Sequence, residues 1–518
     1  MADQPPTQDP NRRRFFRLFA GDVATTVGGM LGAAQSLQQE SADAARSLLT
    51  GIDPASAPAA PSAPVVIPVG GTMTIPVGGS AALPVQAAPG GGGAPVWDAT
   101  NAGYRAPFRW DGDRAVLVDQ RQLPDILGEV YVENAADAVG CITDGVIHGS
   151  AVQGQLAALT LAIVASRNRA SRPFARKATI RGAANAFRLT RPASAAIALA
   201  TERMLALLDE LGVDATGDEV AEAFRLEAEA IIGEATEDHG RLAQMASAAL
   251  PGAALPGDAT TPIHVLTFGS TGALGSGTFG TALGVITVLH HAGRPIHALV
   301  AETRPLHIGS RLAAWELKQA GVAHAVVTDA AAPGCIASGE VDAVLVSAER
   351  IAANGDVIGI SGTYPLALAA AAEGIPFIVC AATSSIDTDV PEGESATIEE
   401  ARPASVLTVN GRRIALEGTP IRNPLQDLTP ASLITAIVTE QGILRAPYGE
   451  SVAAAMVTAH ARRSSSRGYR ALLARRVAAA AEAAETVRTA ADGAAAADPA
   501  SPAVDGPEAV GPDIAPQS

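Results

Sequence analysis

The stretch that decides the fold is Ile263-His264-Val265-Leu266-Thr267, which leads into Gly269-Ser270-Thr271-Gly272-Ala273-Leu274-Gly275-Ser276-Gly277-Thr278. A short apolar run, then a glycine-rich loop and a helix from about Phe279, is typical of a buried strand in a parallel sheet. Similar apolar runs recur downstream, separated by segments of helical length: 296–300, 323–328, 341–346 and 376–381. This alternation predicts a doubly wound parallel sheet, which binds ligands at the carboxyl ends of its strands.

The sequence before this region has a different pattern. Short apolar runs around 116–118 and 130–132 suggest small strands, and Ala/Leu-rich segments that predict helices follow at 135–147, 150–166, 192–212 and 217–249. We therefore predict an α/β protein with a mainly helical domain before the sheet domain. The predicted divisions are an amphipathic helical extension (1–51), a Pro/Gly/Ala linker (52–107), small strands plus the helical domain (108–255), the sheet domain (256–458), a C-terminal helix (459–487) and a disordered tail (488–518).

Composition excludes several classes of protein. Among 518 residues, 37 Lys plus Arg oppose 53 Asp plus Glu, for a net charge of −16, which argues against a nucleic-acid partner. Only three cysteines occur, without CxxC spacing, so neither a disulfide scaffold nor a thiolate zinc site is expected. His148, His307 and the His290-His291 pair share no spacing with carboxylates, and we predict neither a metal nor a cofactor.

The N-terminal extension places apolar residues at helical spacing from Phe16 to Leu48. Such a stripe is costly to expose, so we expect the helix to dock on a protein partner or a membrane surface. The segment 11–17 also resembles a twin-arginine export signal, but Asp22 interrupts the apolar region that should follow. A cytoplasmic location is the prediction, with export as the alternative.

The glycine-rich loop alone has two interpretations. Its backbone N–H groups could converge on a phosphate at a helix N-terminus, or its glycines could allow tight packing of the helix on the strand. It fits neither G-x-x-x-x-G-K-[ST] nor a clean G-x-G-x-x-G, so ATPase and dinucleotide-binding functions gain little support.

Motifs at the ends of the other strands narrow these alternatives. Glu302-Thr303-Arg304-Pro305 follows the second strand, Ser347-Ala348-Glu349-Arg350-Ile351 and Asn354-Gly355-Asp356 follow the fourth, and Gly362-Thr363-Tyr364 opens the next helix. With Leu117–Pro124, His148–Ala151 and Arg191-Pro192, they resemble the family of methylthioribose-1-phosphate isomerases, ribose-1,5-bisphosphate isomerases and regulatory subunits of initiation factor 2B. The resemblance covers roughly residues 108–455. It implies an N-terminal helical domain, a Rossmann-like C-terminal domain, and dimers or higher assemblies.

The chain departs from the family pattern where the chemistry is expected. The catalytic cysteine of the bacterial isomerases falls at Gly269, and their catalytic aspartate falls at Glu349, one methylene longer. Their ligand-facing Asn-Lys pair becomes Gly359-Ile360. The family's glutamine after Glu-Thr-Arg-Pro is Ile308, and the arginine of Arg-Gly-Ala-Pro is His148.

Two hypotheses about function follow. In the first, the chain is a divergent homodimeric member, a pseudoenzyme that binds a phosphorylated sugar or nucleotide. In the second, it is an aldose-ketose isomerase acting on a sugar 1-phosphate with a rearranged acid/base set. Glu349 is the candidate catalytic residue, since a carboxylate at a strand's carboxyl end faces the ligand crevice. The candidate ligand-binding residues are Arg191, Gly269, Ser270, Thr271, Gly272, Arg304 and Asp356. For Arg304, an ordinary ion pair at a strand end is the competing interpretation.

Overall fold

The computed structural model describes residues 107–253, 261–409 and 412–465, all of which belong to the compact unit Pro64–Ser518. The predicted N-terminal helix, nearly all of the linker, the C-terminal tail and most of the predicted helix 459–487 lie outside these described residues. None of the helices within the described ranges is long and apolar enough to cross a membrane.

The first part of the described chain is a small antiparallel sheet followed by helices. Its strands pair in the order β1-β2-β3: β1 (Phe108–Asp111), β2 (Arg114–Val118) and β3 (Glu129–Val132). Five helices follow: α1 (Ala135–Thr143), α2 (Ser150–Arg167), α3 (Pro173–Thr190), α4 (Ala195–Leu211) and α5 (Gly217–Ala253). Residues 152–165 of α2 are all buried, as expected for a helix that is apolar around its circumference and lies at the centre of a domain.

One of these helices was not predicted. Helix α3 contains several basic residues, and its buried residues are Arg176, Ile180, Ala183, Ala184 and Phe187, of which only Ile180 and Phe187 are large and apolar. A helix that buries so few large apolar residues gives a weak periodic signal. The predicted helices 150–166, 192–212 and 217–249 correspond closely to α2, α4 and α5.

The second part is built on a mixed sheet of seven strands in the order β16-β15-β10-β7-β4-β5-β6. All neighbouring pairs are parallel except β15–β16, which is antiparallel. The strands are β4 (Ile263–Phe268), β5 (Ile296–Ala301), β6 (Ala323–Val327), β7 (Ala343–Val346), β10 (Phe377–Cys380), β15 (Ala436–Thr439) and β16 (Gly442–Leu444). The five predicted strands are confirmed, whereas β15 and β16 were not predicted.

Helices cover both faces of this sheet. They are α6 (Ala273–Ser276), α7 (Ala282–His291), α8 (Ala314–Gln319), which directly follows a π-helical turn (Gly309–Ala313), α9 (Ala332–Ala337), α10 (Thr363–Glu373) and α12 (Tyr448–Ser465). Leu283 and Ile286 of α7 pack on one face with Leu242 of α5, and Leu366 of α10 packs on the other. Because α5 contributes to the core of the sheet, the helical part and the sheet part share an interface. The predicted doubly wound α/β fold is confirmed.

Short elements complete the carboxyl edge of the sheet. A second sheet has the order β11-β8-β9-β14 and consists of β8 (Arg350–Ala352), β9 (Val357–Ile360), β11 (Ile386–Asp387) and β14 (Gln426–Thr429). The turn α11 (Ala404–Leu407) precedes the hairpin of β12 (Thr408–Val409) and β13 (Arg412–Arg413). None of these was predicted. Helix α12 begins at Tyr448, so helical structure starts before the predicted boundary at residue 459.

Candidate functional site

The candidate site lies at the carboxyl edge of the seven-stranded sheet, as the doubly wound fold predicts. Gly269 follows β4, Glu302 follows β5, and Glu349 lies between β7 and β8. The helical part approaches this edge through the segment between α3 and α4. Here Arg350 donates hydrogen bonds to the carbonyl oxygens of Pro192 and Ala193. The site is therefore assembled from both parts of the described chain.

The structure brings together two of the predicted site residues, Arg191 and Glu349. The Nη2 atom of Arg191 donates to both carboxylate oxygens of Glu349, at 2.8 and 2.6 Å. Both side chains are largely buried, at 15 % and 18 % exposure, so the pair is only weakly screened by solvent. Gln426 Nε2 donates to the same carboxylate at 3.0 Å. Glu349 is thus held by two donors instead of projecting freely into the crevice.

A third group completes this network. Glu399, which the sequence analysis did not identify, accepts a hydrogen bond from Arg191 Nε at 2.8 Å and another from the backbone N–H of Ala193 at 2.8 Å. Gln153 Oε1 accepts from Arg191 Nη1 at 3.0 Å. Burial opposes the charge of Arg191, but the two carboxylates outweigh it and raise the pKa of the guanidinium further above its usual range. The planar fork of Arg191 is therefore already occupied by protein acceptors.

The opposite side of the crevice is apolar. Gly269 adopts a φ of +86°, and a Cβ atom at this position would lie 3.0 Å from Cγ2 of Ile360. Ile360 packs against a buried cluster that contains Ile308 and Leu274. The resemblance implies a thiol at position 269, an ammonium at position 360 and an amide at position 308. Gly269, Ile360 and Ile308 stand there instead, and they lie in or beside the same apolar cluster.

The next position is equally restrictive. A Cβ atom at Gly359 would lie 2.6 Å from Oγ1 of Thr363, which is buried at the start of α10. No side chain fits at residue 359 unless this contact changes. An asparagine at residue 359 would therefore require Thr363 to shift.

The glycine-rich loop is used for packing. Residues 271–278 are buried, and of the four predicted loop ligands only Ser270 is partly exposed. Gln120 and Gln155 of the helical part donate to the carbonyl oxygens of Leu274 and Ser276, at 2.9 and 2.8 Å. At the start of the short helix α6, the backbone N–H of Leu274 donates a hydrogen bond to the carboxyl group of Glu316, which belongs to α8. The carboxyl group of Glu316 therefore occupies the position where the loop was expected to receive a phosphate.

Glu316 is fully enclosed, and this changes its titration. Burial raises its pKa to about 8, although the N–H groups of Leu274 and Ala273 partly oppose the shift. A carboxyl group with this pKa is mostly protonated at neutral pH. Gly272 is required beside it, because a Cβ atom there would overlap the Glu316 carboxyl.

Two further predicted site residues, Arg304 and Asp356, make contacts that hold neighbouring segments together. Arg304 pairs with Asp329, with its Nη2 atom 2.8 Å from the carboxylate, and its side chain is 58 % exposed. Asp356 accepts hydrogen bonds from the N–H groups of Gly393 and Ala431, at 3.0 and 2.8 Å. Asp356 thereby fastens the β8–β9 hairpin to two neighbouring turns. The roles of both residues in ligand binding stay predictions.

A cleft of ≈ 510 Å³ opens beside this network. It is bounded by the helical part, the segment after β5 and the segment around Glu399, and its cationic side chains and histidine are Arg121, His148, Arg191, Arg311 and Arg402. Sequence reasoning singled out Arg191 and His148 but not Arg311. The signal available for Arg311 was its position seven residues beyond Arg304, in the segment that follows a strand end.

In the part of the chain that the structure describes, the cysteines and histidines are not grouped for metal binding. Within residues 107–253, 261–409 and 412–465, no group of three or more His, Cys, Asp or Glu side chains is arranged to hold a metal ion. Cys141 and Cys380 are buried, and burial raises the pKa of each thiol to about 12. Thiols of this kind are inert core side chains and not nucleophiles.

The combination of fold and site defines a class of protein. A model of the initiation factor 2 subunit family matches residues 146–446, which is more than half of the chain. The chain belongs to this family.

Relatives within the family support the assignment and add detail. Methylthioribose-1-phosphate isomerase of Synechococcus sp. is 35 % identical over 350 residues, which are 67 % of this chain and 97 % of the relative. The protein of the same name from Chloroflexus aurantiacus is 37 % identical over 339 residues, 65 % of this chain and 95 % of the relative.

Two solved structures have a similar fold. The structure of 5-methylthioribose 1-phosphate isomerase from Pyrococcus horikoshii OT3 has a TM-score of 0.60 at 29 % identity, covering 68 % of this chain and 96 % of that chain. The structure of translation initiation factor eIF-2B, subunit delta, from A. fulgidus has a TM-score of 0.56 at 28 % identity, covering 68 % of this chain and 98 % of that one. Proteins named as an enzyme and proteins named as a translation factor thus share this fold.

Proposed function

We propose that the chain binds a phosphorylated sugar or nucleotide at the carboxyl edge of its sheet and has lost the isomerase chemistry of its relatives. The observation that carries this proposal is the contact predicted between a Cβ atom at Gly269 and Ile360 Cγ2. It leaves no ionisable side chain at the position where the resemblance places a cysteine, and it closes that side of the crevice with an apolar group.

The state of Glu349 supports the same proposal. Isomerisation between an aldose and a ketose moves hydrogen between two neighbouring carbon atoms, and positioned acid/base groups normally assist. Such a group must come within about 2.6 to 3.2 Å of the atom it serves. Both carboxylate oxygens of Glu349 are engaged by Arg191, so Glu349 acts as a base only if that ion pair opens.

The second candidate is an aldose-ketose isomerase that acts on a sugar 1-phosphate. The observation that favours it is the identity of 35 % and 37 % to proteins named methylthioribose-1-phosphate isomerase, over 97 % and 95 % of their length. These comparisons support the second candidate more directly than the first. The first is supported by the residues at the crevice.

A rearranged acid/base set would need a second carboxyl group. Asp427 is one candidate, because it lies opposite Gly359 in the pairing of β9 with β14. Burial raises its pKa to about 6, although the backbone N–H groups at the start of α10 oppose the shift. Its oxygens accept hydrogen bonds from the N–H groups of Gly362 and Tyr364, so its position is also explained by capping of that helix.

A direct assay separates the two candidates. Purified protein is mixed with methylthioribose 1-phosphate, conversion is followed by NMR, and binding is measured by calorimetry on the same preparation. The first candidate predicts heat of binding without conversion. Turnover of the order of 1 to 10³ s⁻¹, the ordinary range for enzymes, would reject it in favour of the second. Absence of both signals would reject methylthioribose 1-phosphate as the ligand.

Assembly and location are separate proposals. We infer a homodimer from the resemblance and a cytoplasmic location from Asp22, which interrupts the apolar region that an export signal would need. We infer docking of the predicted N-terminal helix from its apolar stripe. Light scattering of the purified protein tests the dimer. Mass spectrometry of the protein from its native cell tests the location, because a chain that begins near Gln35 in an extracytoplasmic fraction would mean that the segment before it was an export signal.

A further inference from the structure

The cleft beside Arg191 contains four guanidinium groups, and three of them are paired with carboxylates. Arg121 is paired with Asp119 at 2.8 Å, and Arg191 with Glu349 at 2.6 Å. Arg402 is paired with Asp144 at 3.1 Å. An anion that enters the cleft would have to compete with these carboxylates for each of the three arginines.

Arg311 is different. Its Nη1 atom donates to the carbonyl oxygen of Gln120 at 2.7 Å and its Nη2 atom to that of Leu306 at 2.8 Å, so its acceptors are neutral. Among the described residues, no carboxylate lies within ion-pair distance of Arg311. Burial lowers the pKa of Arg311 even though Glu302 and Asp119 act in the opposite direction. Arg311 is thus a partly buried positive charge, held in place by the backbone and lacking a counter-ion.

His148 lines the same cleft. Gln120 connects it to Arg311, since the backbone N–H of His148 donates to Gln120 Oε1 at 2.9 Å. Burial, together with the positive charges of Arg311 and Arg191, lowers the pKa of His148 to about 4. The imidazole is therefore neutral at physiological pH. An anion placed beside it would reverse the sign of the local field and favour the imidazolium.

We propose that the phosphate group of the ligand binds between Arg311 and His148, and that His148 takes up a proton as the anion binds. The inference rests on the proposed function in that it gives the phosphate of that ligand its place. Arg311 supplies the permanent charge, and a guanidinium can make charge-assisted hydrogen bonds to phosphate oxygens. His148 supplies a second charge that appears only with the anion, so the anion binds more tightly as the pH falls.

The other charged groups around the cleft do not account for this dependence of anion binding on pH. Hydrogen bonds from Arg121 and Gln122 outweigh burial and lower the pKa of Asp119, and a backbone N–H and Arg422 lower that of Glu400. Asp144, Glu349 and Glu399 each accept a hydrogen bond from an arginine. His148 is the histidine that lines the cleft, and it is the group whose charge changes as the anion enters.

Calorimetry of the full-length protein with sulfate tests the inference, because sulfate does not titrate in the relevant range whereas a phosphate group gains a proton near pH 6. Between about pH 7.5 and about pH 5.5 the affinity of the wild-type protein should rise, by at most about tenfold per pH unit for one coupled proton. His148→Gln should abolish the rise. His148→Arg should bind sulfate more tightly than wild type at about pH 7.5 and without pH dependence. A wild-type affinity that does not change with pH, or a slope retained in His148→Gln, overturns the inference.

Arg311→Gln tests the permanent charge. It should weaken sulfate binding at both pH values by about tenfold or more, since it removes a charge-assisted contact. Arg181→Gln is the matched control and should leave the affinity unchanged, because Arg181 is paired with Asp209 at 2.6 Å and lies outside the cleft. Thermal melting checks that each variant is folded, and the His148 variants carry the test if Arg311→Gln is not. An unchanged affinity in folded Arg311→Gln overturns the inference.

The failures of the two proposals can be distinguished. If methylthioribose 1-phosphate binds and neither His148→Gln nor Arg311→Gln changes its affinity, the proposed function stands and this placement of the phosphate is wrong. If sulfate binds with the expected pH dependence and no sugar phosphate or nucleotide does, the anion site stands and the proposed function is wrong. If neither binds, both are wrong.

Discussion

The two sides of the crevice at the sheet edge differ in chemistry. On one side Arg191, Glu349 and Glu399 form a closed network of charges, with its shortest ion-pair distance at 2.6 Å. On the other side Gly269 lies against Ile360, with an apolar cluster behind them. The comparison teaches that charge at a site and capacity for acid/base chemistry are separable, since one side retains its carboxylates while the other offers no ionisable side chain at its counterpart positions.

Mutations on the charged side of the crevice are expected to cause the larger loss of stability. Arg191→Ala leaves two largely buried carboxylates without their cation, and breaking a buried pair in this way typically costs about 3 to 5 kcal/mol. Urea unfolding followed by circular dichroism measures the loss. Arg304→Ala is the control, because its exposed pair with Asp329 should be worth less than about 1 kcal/mol. Equal losses in the two variants would contradict the view that the network is buried and tightly coupled.

On the apolar side of the crevice, a larger side chain at Gly269 is expected to lower the stability of the protein. Gly269→Ala places a Cβ atom at a φ of +86° and 3.0 Å from Ile360 Cγ2, so conformational strain and crowding add together. We expect a loss of about 1 to 3 kcal/mol in the free energy of unfolding. Gly112→Ala is the matched control, because Gly112 also has a positive φ, of +62°, but nothing within 4 Å of its Cβ position.

The difference between Gly269→Ala and Gly112→Ala isolates the contact with Ile360. Ile360→Ala in the Gly269→Ala background should restore part of that difference, which a double-mutant cycle measures. If the two glycine variants lose the same stability, the apolar side has room for a side chain. In that case the main structural argument against a cysteine-like chemistry at this position fails.

The strands that lead to the site were predicted from the sequence, whereas the contacts between side chains at the site were not. The strand that precedes Gly269 and the one that precedes Glu349 were both predicted, because buried parallel strands form short, continuous apolar runs. Doubly wound sheets place such strand ends at one edge. The position of Gly269 and of Glu349 at the site therefore follows from local patterns.

The interactions at the site could not be predicted in the same way. Arg191 and Glu349 are 158 residues apart, and Arg191 and Glu399 are 208 apart, so their pairing depends on how the helical part packs on the sheet edge. Glu399 lies in a segment without regular periodicity. The position of Arg311 after a strand end is visible in the sequence, but that no carboxylate among the described residues lies within ion-pair distance of it is visible only in the three-dimensional arrangement.

The smallest mutational effect, expected near pH 5, concerns the carboxyl group of Glu316, which is buried under the glycine-rich loop on the apolar side. Because burial raises the folded-state pKa of Glu316 from 4.5 to about 8, its neutral form is favoured by folding. Its contribution to stability is complete below pH 4.5, the ordinary pKa, and is lost as the pH rises toward about 8. The slope is at most about 1.4 kcal/mol per pH unit. Glu316→Gln is close in shape to the protonated carboxyl, so at about pH 5 we expect a change below about 1 kcal/mol.

Comparing wild type with Glu316→Gln across this range removes the contributions of the other titrating groups. Stability measured by urea unfolding should fall more steeply for wild type than for the variant between about pH 5 and about pH 8. Parallel curves would mean that Glu316 is ionised in the folded protein. A charged carboxylate would then sit at the N-terminus of α6, and the loop would be an anion-binding element occupied by its own side chain. The contrast between a charged and an uncharged side of the crevice would then no longer hold.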